Sequence, residues 1–446
     1  MEHYLRRTPN SRRLYDRSCA VVPGGIHHSY RYYRPYPVYM SSGSGGRISD
    51  VDGHEYIDLW SAHYSAILGH RPPFLMEAMT RVFENGTHFG IPSENEVLFA
   101  ELLADVLPGV ETLKFGVSGT EATMFAVRLA RGFTKRRTVL KVAGGWHGPS
   151  SDLAVAVYPP YDKPESAGIL PEMTAHTRLI PFNDIEGTRR VIEEVGEDLA
   201  GVIVEPVMGA GFVVADPEYL THLRKYTADR GAVLIFDEII CGFRLAFGGA
   251  REYFNVIPDL STYGKIAGGG FHLGVVAGRA DIMALSGFSA PGTKSDRVLT
   301  GGGTYSCNPL SMTAGRLMVE FLRDHKDEVY PHLDVLGQRA RAGLSRTLEE
   351  GGLPAQVLGV GSLVAPILLR TKAAAPIRSA IEATALGDPE ATQLLHMALL
   401  NEGVYTLGLK AAWSSAHTTD DVDAVTAAIS RAVEAVAEEL ASIRPA

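Results

Sequence analysis

Lys265 lies in DLSTYGKIAGGG (259–270), among small residues and soon after an apolar, proline-containing stretch. Burying or half-burying a lysine lowers its pKa and makes it an amine nucleophile suited to a carbonyl carbon. Asp237 and Glu238 close the apolar run AVLIFDEI (232–239). The C-terminal end of a buried strand is where α/β sheets place ligands, and an acid there is costly unless it meets a cation. In GVSGTEATMFAVRLAR (116–131) a turn of small residues opens into a helical pattern. Ser118, Gly119 and Thr120 there would present N–H groups and hydroxyls at a helix N-terminus, where the macrodipole favours a phosphate. Ser118 also lies three residues before Glu121, the spacing of an ordinary capping box. A fourth segment, GGGTYSCNPLSMTAG (301–315), is a glycine-rich turn carrying Thr304 ahead of another helical pattern.

Taken together, these residues offer a phosphate cradle, a carboxylate able to hold a protonated ring nitrogen, and a lysine able to form an imine. Those are the requirements of pyridoxal 5′-phosphate, whose ring is an electron sink while its nitrogen stays protonated.

Such residues need a scaffold of buried strands. VLKVA (139–143), GVIVEPV (201–207), AVLIFDEI and GVVAG (274–278) alternate with helical patterns, the rhythm of βα units on a buried, mainly parallel sheet. DPEYLTHLRKYTADRG carries Asp216 as an expected N-cap, Pro217 in the first turn and Gly231 as a stop, which predicts a βαβ crossover. Residues 1–75 read as a β-rich segment of a small domain, with SSGSGG (41–46) and DVDGHEYIDLW (50–60) suggesting a hairpin. Residues 76–325 form the expected large domain. From 326 to 446 the texture is that of long amphipathic helices, ending in Val422, Val425, Ile429, Val433, Val436 and Leu440 at three- and four-residue spacing. Residues 158–176 are a proline-rich stretch without clear periodicity, read as a lid or an ordinary surface insertion.

Apolar residues make up 46% of the 446 positions, charged residues 21%, and the formal charge is −9. This is the balance of a globular chain, and a net negative charge argues against a nucleic-acid partner. No apolar run approaches the length of a spanning helix, and MEHYLRRTPNSRR lacks the apolar core of a secretory signal. A cytoplasmic protein without a membrane partner is expected. Cys19, Cys241 and Cys307 form no CxxC pair, and the adjacent His27 and His28 lack a third ligand, so no metal is expected.

The motifs SGTEA, FDE, GK and GTYSCNP, in this order between PGG (23–25) and AHTTDDVD (416–423), resemble those of the class III, fold type I aminotransferases. The branch resembled includes glutamate-1-semialdehyde aminomutase and the D-phenylglycine and β-phenylalanine aminotransferases. The resemblance implies an α/β fold: a large domain with a mainly parallel sheet and a small α+β domain built from both chain ends. It implies that Lys265 is the Schiff-base lysine and proton shuttle, that Asp237 pairs with the pyridine nitrogen, and that Ser118, Gly119 and Thr120 hold the phosphate. Thr304 would reach the phosphate of a neighbouring subunit, which implies a homodimer with shared sites. Trp146 would stack on the cofactor ring, Ile239 would pack its other face, and Glu205 would lie near its phenolic oxygen. Arg31 matches the arginine that holds the substrate carboxylate. Its planar fork suits that contact, although a surface ion pair would also explain it.

Two departures bear on the reaction. EPVMGAG (205–211) places Ala210 where the aminomutase has asparagine, and GVYTLGLKAAWSSAHT (403–418) offers Lys410 where it has an acid. The expected reaction is therefore transfer of an amino group from an α- or β-amino acid to a keto acid through pyridoxamine phosphate. An intramolecular aminomutase is the alternative. The tyrosines at 30, 32, 33, 36 and 39 suit an aromatic or apolar substrate side chain, and equally a lobe packed by tyrosines.

Overall fold

Asp50, Gly53 and the flanking apolar residues make a hairpin in the computed structural model, which describes residues 2–288, 292–301, 303–373 and 375–443. Strands β1 (Met40–Ser44), β2 (Arg47–Asp50) and β3 (Glu55–Asp58) pair antiparallel. Asp50 Oδ1 accepts the N–H groups of Asp52 (2.9 Å) and His54 (2.8 Å), so the aspartate turns its own backbone. Gly53 takes φ +88°, a conformation open to glycine. These strands belong to a compact unit comprising Met1–Pro72, Pro331–Pro376 and Ala385–Ala446.

The second unit, Pro73–Tyr330 with Ile377–Thr384, contains β4 (Thr112–Gly116), β5 (Thr138–Val142), β6 (Thr177–Ile180), β7 (Leu199–Val204), β8 (Val233–Asp237), β9 (Leu260–Tyr263) and β10 (Gly274–Gly278). Among the described residues they form a seven-stranded sheet in the order β4-β10-β9-β8-β7-β5-β6. Only β10 runs against its neighbours. The sheet is thus mainly parallel, and the α/β fold expected from the sequence is present. Val139, Ile203, Ile235, Leu260 and Val276 pack against Phe125, Ala126, Leu129 and Ala130 of the helix Gly119–Thr134. Truncating such a leucine to alanine costs about 2–5 kcal/mol, so this face fixes where the helix begins.

The crossover helix after β7 runs Pro217–Asp229, and Gly231 follows at φ +60°. Asp216 occupies its N-cap position without a side-chain cap bond. Its carboxylate is instead taken by the Arg378 guanidinium, a charged partner that outcompetes a backbone amide.

The C-terminal part of the first unit is less helical than its texture suggests. After the helix Lys326–Glu350 come β11 (Ala355–Leu358) and β12 (Leu363–Leu368), then β13 (Val404–Tyr405) and β14 (Ala411–Ala412). β11, β12 and β14 form one sheet, and β13 joins β3 in parallel. Val422, Val425, Ile429, Val433 and Val436 of the final helix Thr419–Ile443 are buried in this unit's core with Leu336, Leu348 and Trp413, and Leu440 packs at its edge. No helix among the described residues is long and apolar enough to cross a membrane.

Candidate active site

Neighbouring parallel strands each deliver a functional side chain just past or at their C-terminal ends. β8 ends on Asp237, Glu205 directly follows β7, Lys265 lies two residues after β9, and Trp146 and His147 sit in the loop after β5. With Gly119, Thr120, Thr123, Gly148, Ile239 and Ile240 they line a cavity of about 220 Å³. This is the ligand edge of an open α/β sheet.

Asp237 is 4% exposed. Its Oδ1 accepts from the Ile239 N–H (3.1 Å) and Thr262 Oγ1 (3.2 Å), and its Oδ2 accepts from His147 Nδ1 (2.7 Å). A carboxylate has about four lone-pair sites, so three donors leave room for one more from the cavity. With Nδ1 donating, His147 is assigned the tautomer whose Nε2 accepts. That buried Nε2 has no hydrogen-bond partner among the described residues.

Lys265 adopts φ +37°, between an extended Gly264 and a tight turn. A side chain held in this region stores strain that its surroundings must outweigh, and such residues cluster at functional sites. Burial pulls the Lys265 amine below the ordinary lysine range, while the charges of Asp237 and Glu205 oppose that pull. Burial pushes the Glu205 carboxyl up; the His147 ring works against this, and the Asp237 charge adds to it. Glu205 accepts from the N–H groups of Trp146 (2.8 Å) and Gly209 (2.9 Å).

The helix Gly119–Thr134 points its N-terminus at the cavity, with first-turn amides that have no intrahelical acceptor. Ser118 is its N-cap; the hydroxyl accepts from the Glu121 N–H (3.3 Å), and Glu121 Oε2 accepts from the Val117 N–H (2.8 Å). The capping reading of this motif therefore describes Ser118, while Gly119 and Thr120 line the cavity. The approach is close: a Cβ on Gly148 would lie 2.3 Å from Thr120 Oγ1, and one on Gly119 would lie 2.9 Å from Ile239 Cδ1. A helix N-terminus with a hydroxyl, a buried carboxylate with spare acceptor capacity and a half-buried amine fit the phosphate, ring nitrogen and aldehyde of pyridoxal 5′-phosphate.

Gly119, Thr120, Trp146, Glu205, Asp237, Ile239 and Lys265 are thus brought together. Thr304 is exposed on a turn and is not among the residues of this lining. Arg31 belongs to the other unit, where it is exposed and lines a cavity of about 610 Å³ with Asp58, Trp60, His70 and Tyr405. Among the described residues it makes no hydrogen bond through its side chain and no ion pair. Of the tyrosines in this segment, Tyr33 and Tyr36 are core residues, whereas Tyr30 stacks on Trp60 at 5.9 Å and lies under Lys410 Nζ at 4.9 Å. His27 and His28 line the same cavity, and no group of three metal-ligating side chains occurs among the described residues.

The sequence reading missed His147, although it is printed in the GGWHG motif beside Trp146. Only the fold shows that it is held to Asp237, 90 positions away.

Residues 29–413 match the family model of the class-III aminotransferases. The chain belongs to that family, whose members use pyridoxal 5′-phosphate and pair an amino with a keto substrate. It is 40% identical over 357 residues to a glutamate-1-semialdehyde 2,1-aminomutase of Methanosarcina acetivorans, covering 79% of this chain and 82% of the relative. The structure is similar to an omega-transaminase from Sphaerobacter thermophilus, with a TM-score of 0.86, 32% identity, and coverage of 96% of this chain and 97% of the other. It is also similar to a β-phenylalanine aminotransferase from Variovorax paradoxus, with a TM-score of 0.85, 30% identity, and coverage of 96% and 95%.

Proposed function

We propose that this protein is an aminotransferase that moves an amino group from an α- or β-amino acid, with an aromatic or apolar side chain, to a keto acid. The observation that carries the reading is the convergence of Lys265, Asp237 and the Gly119–Thr120 helix start on one cavity. Pyridoxal 5′-phosphate, when bound, supplies an aldehyde that captures amines and a ring that accepts the electron pair left by deprotonation. Lys265 Nζ would hold the aldehyde carbon and, once released, would take the proton from the substrate carbon and return it. Its lowered pKa favours the free amine that both tasks need.

Asp237 would hold the ring N–H, and the His147 Nδ1–H bond would fix the carboxylate's orientation. Gly119 and Thr120 would hold the phosphate, with Ser118 keeping the helix start in place through its cap. Trp146 and Ile239 would cover the two ring faces, and Glu205 would lie beside the phenolic oxygen. Arg31 is the proposed carboxylate anchor of the substrate. Thr304, exposed in a single chain, would serve a partner copy's phosphate, so the working form is a homodimer.

Lys265→Ala should abolish turnover while the protein stays folded and retains much of its phosphate-anchored cofactor. Substantial residual transamination would overturn the assignment. A second reading, the intramolecular aminomutase, is favoured by the similarity to the Methanosarcina acetivorans protein. A donor supplied without acceptor separates the two: a transferase releases carbonyl product stoichiometric with enzyme, whereas a mutase releases no such equivalent.

A further inference from the structure

Lys141 is the penultimate residue of β5, its side chain is 0% exposed, and the proposed reaction makes no use of it. Its Nζ donates to three backbone carbonyls, those of Gly145 (2.8 Å), Leu153 (3.0 Å) and Val155 (2.8 Å). An ammonium has three N–H donors and no acceptor, so the acceptors match the donors one for one. Burial draws the amine down to about 8, opposed by the carboxylate charges of Glu205 and Glu165, which leaves it an ammonium at neutral pH.

The three carbonyls belong to the two ends of one loop. Between them lie Trp146, whose N–H goes to Glu205, His147, whose carbonyl accepts from Thr123 Oγ1 (2.7 Å), and Gly148, packed against Thr120. A single cation therefore pins the loop to itself and to the strand at the point where it enters the cavity wall. The Gly144 N–H also joins the loop's ends through the Ala156 carbonyl (2.8 Å), while Thr177 Oγ1 (2.6 Å) and Arg131 (2.7 Å) hold its middle at Asp152.

We propose that Lys141 is a positioning residue that closes loop 143–156 around its ammonium, and thereby holds His147 against Asp237 and Trp146 beside the cavity. The link to cofactor binding rests on the function proposed above; the anchoring of the loop does not.

Hydrogen exchange on the cofactor-free protein tests the anchor, and pyridoxal 5′-phosphate affinity tests its purpose. In the wild type, the amides of Gly144 and Trp146 should be protected like those of β5. In Lys141→Met, which has no donor, loop amides should exchange at least about tenfold faster, the scale of one lost charged hydrogen bond. Amides of β7 and β8 should not change, and the cofactor Kd should rise by a similar factor. Lys141→Gln, with two donors, should fall between the two, and it decides the matter with the wild-type measurement if Lys141→Met does not fold.

Unprotected loop amides in the wild type, or unchanged ones in a folded variant, would overturn the anchor and leave the proposed function standing. Uniform acceleration throughout the unit would reduce Lys141 to a general structural role. A loosened loop with unaltered cofactor affinity would cut the link to the site. Failure of the function itself is read separately, from Lys265→Ala.

Discussion

Asp237 and Glu238 are chemically alike and adjacent, yet the strand sends them to opposite faces. Asp237 meets the cavity, whereas Glu238 meets the Arg251 guanidinium (3.3 Å) and the Ala250 N–H (2.6 Å) and shares Ser261 and Tyr263 as further partners. Asp237→Asn should lower kcat by roughly 10²–10⁴-fold with little change in stability. Glu238→Ala should do the reverse, destabilising by about 3–5 kcal/mol because it strands a buried guanidinium. Urea unfolding beside kinetics on both variants checks the contrast; a Glu238 variant as stable as the wild type would contradict it. The sequence placed both acids at a ligand-facing strand end, and the cation that the second one needs is Arg251, thirteen positions on. Nothing in composition or spacing marks which acid faces which way.

His396 is a second residue whose environment sets its behaviour. It is 3% exposed, lies edge-on to Tyr33 at 4.6 Å, and burial lowers its pKa to about 4. The native state then resists a proton that the unfolded chain accepts near pH 6.5. Its contribution is fully present above pH 6.5 and is lost as pH falls through 4, up to about 3 kcal/mol. His396→Gln should flatten the fall in urea midpoint between pH 7 and 5, and an unchanged slope would remove this residue from the acid sensitivity.

At the scale of elements, the cavity is shaped by backbone approaching backbone. Gly148 sits at φ +84° with Thr120 in the space a Cβ would need, so Gly148→Ala must shift either the β5 loop or the helix start. Cofactor retention through dialysis should fall by about tenfold or more while the unit stays folded; full retention would mean that the loop yields freely. β5, β7, β8 and β10 were legible as apolar runs because parallel strands buried on both faces show few polar positions. The same feature hid Lys141: inside VLKVA it reads as one exception in a strand, and its three acceptors come from a loop whose path the sequence does not specify. β11 and β12 went unread because short apolar runs between long amphipathic helices do not by themselves distinguish strand from helix. The stretch 158–176 is partly stitched by Glu165, whose Oε2 accepts from the N–H groups of Val157 (3.2 Å) and Tyr158 (3.3 Å), a local bond that irregular sequence does not advertise.

For the whole molecule, the test of assembly is Thr304. Its exposure in one chain is what a residue serving a partner's site would show, and sedimentation at micromolar concentration should find a dimer. Thr304→Ala should weaken cofactor binding without dissociating it. A fully active monomer would overturn both the dimer and the residue's role. Lys265, Asp237, Gly119 and Thr120 were readable as candidates from residue type and their place near strand ends or a helix start; Trp146, Glu205, Ile239, Arg31 and the role of Thr304 were readable only through family resemblance.

The first unit also has a consequence for the order in which the chain is made. Its β3 pairs with β13, Ser61 Oγ donates to the Ala412 carbonyl (2.6 Å), and His417 shares the Gly46 carbonyl (3.1 Å). These partners leave the ribosome on the order of 350 positions apart, a wait of roughly 20–70 s at ordinary translation rates. Through that interval the early hairpin has an open strand edge, while the nearly continuous second unit can already collapse. The strand edge of β3 therefore waits for a partner that is made about 350 positions later.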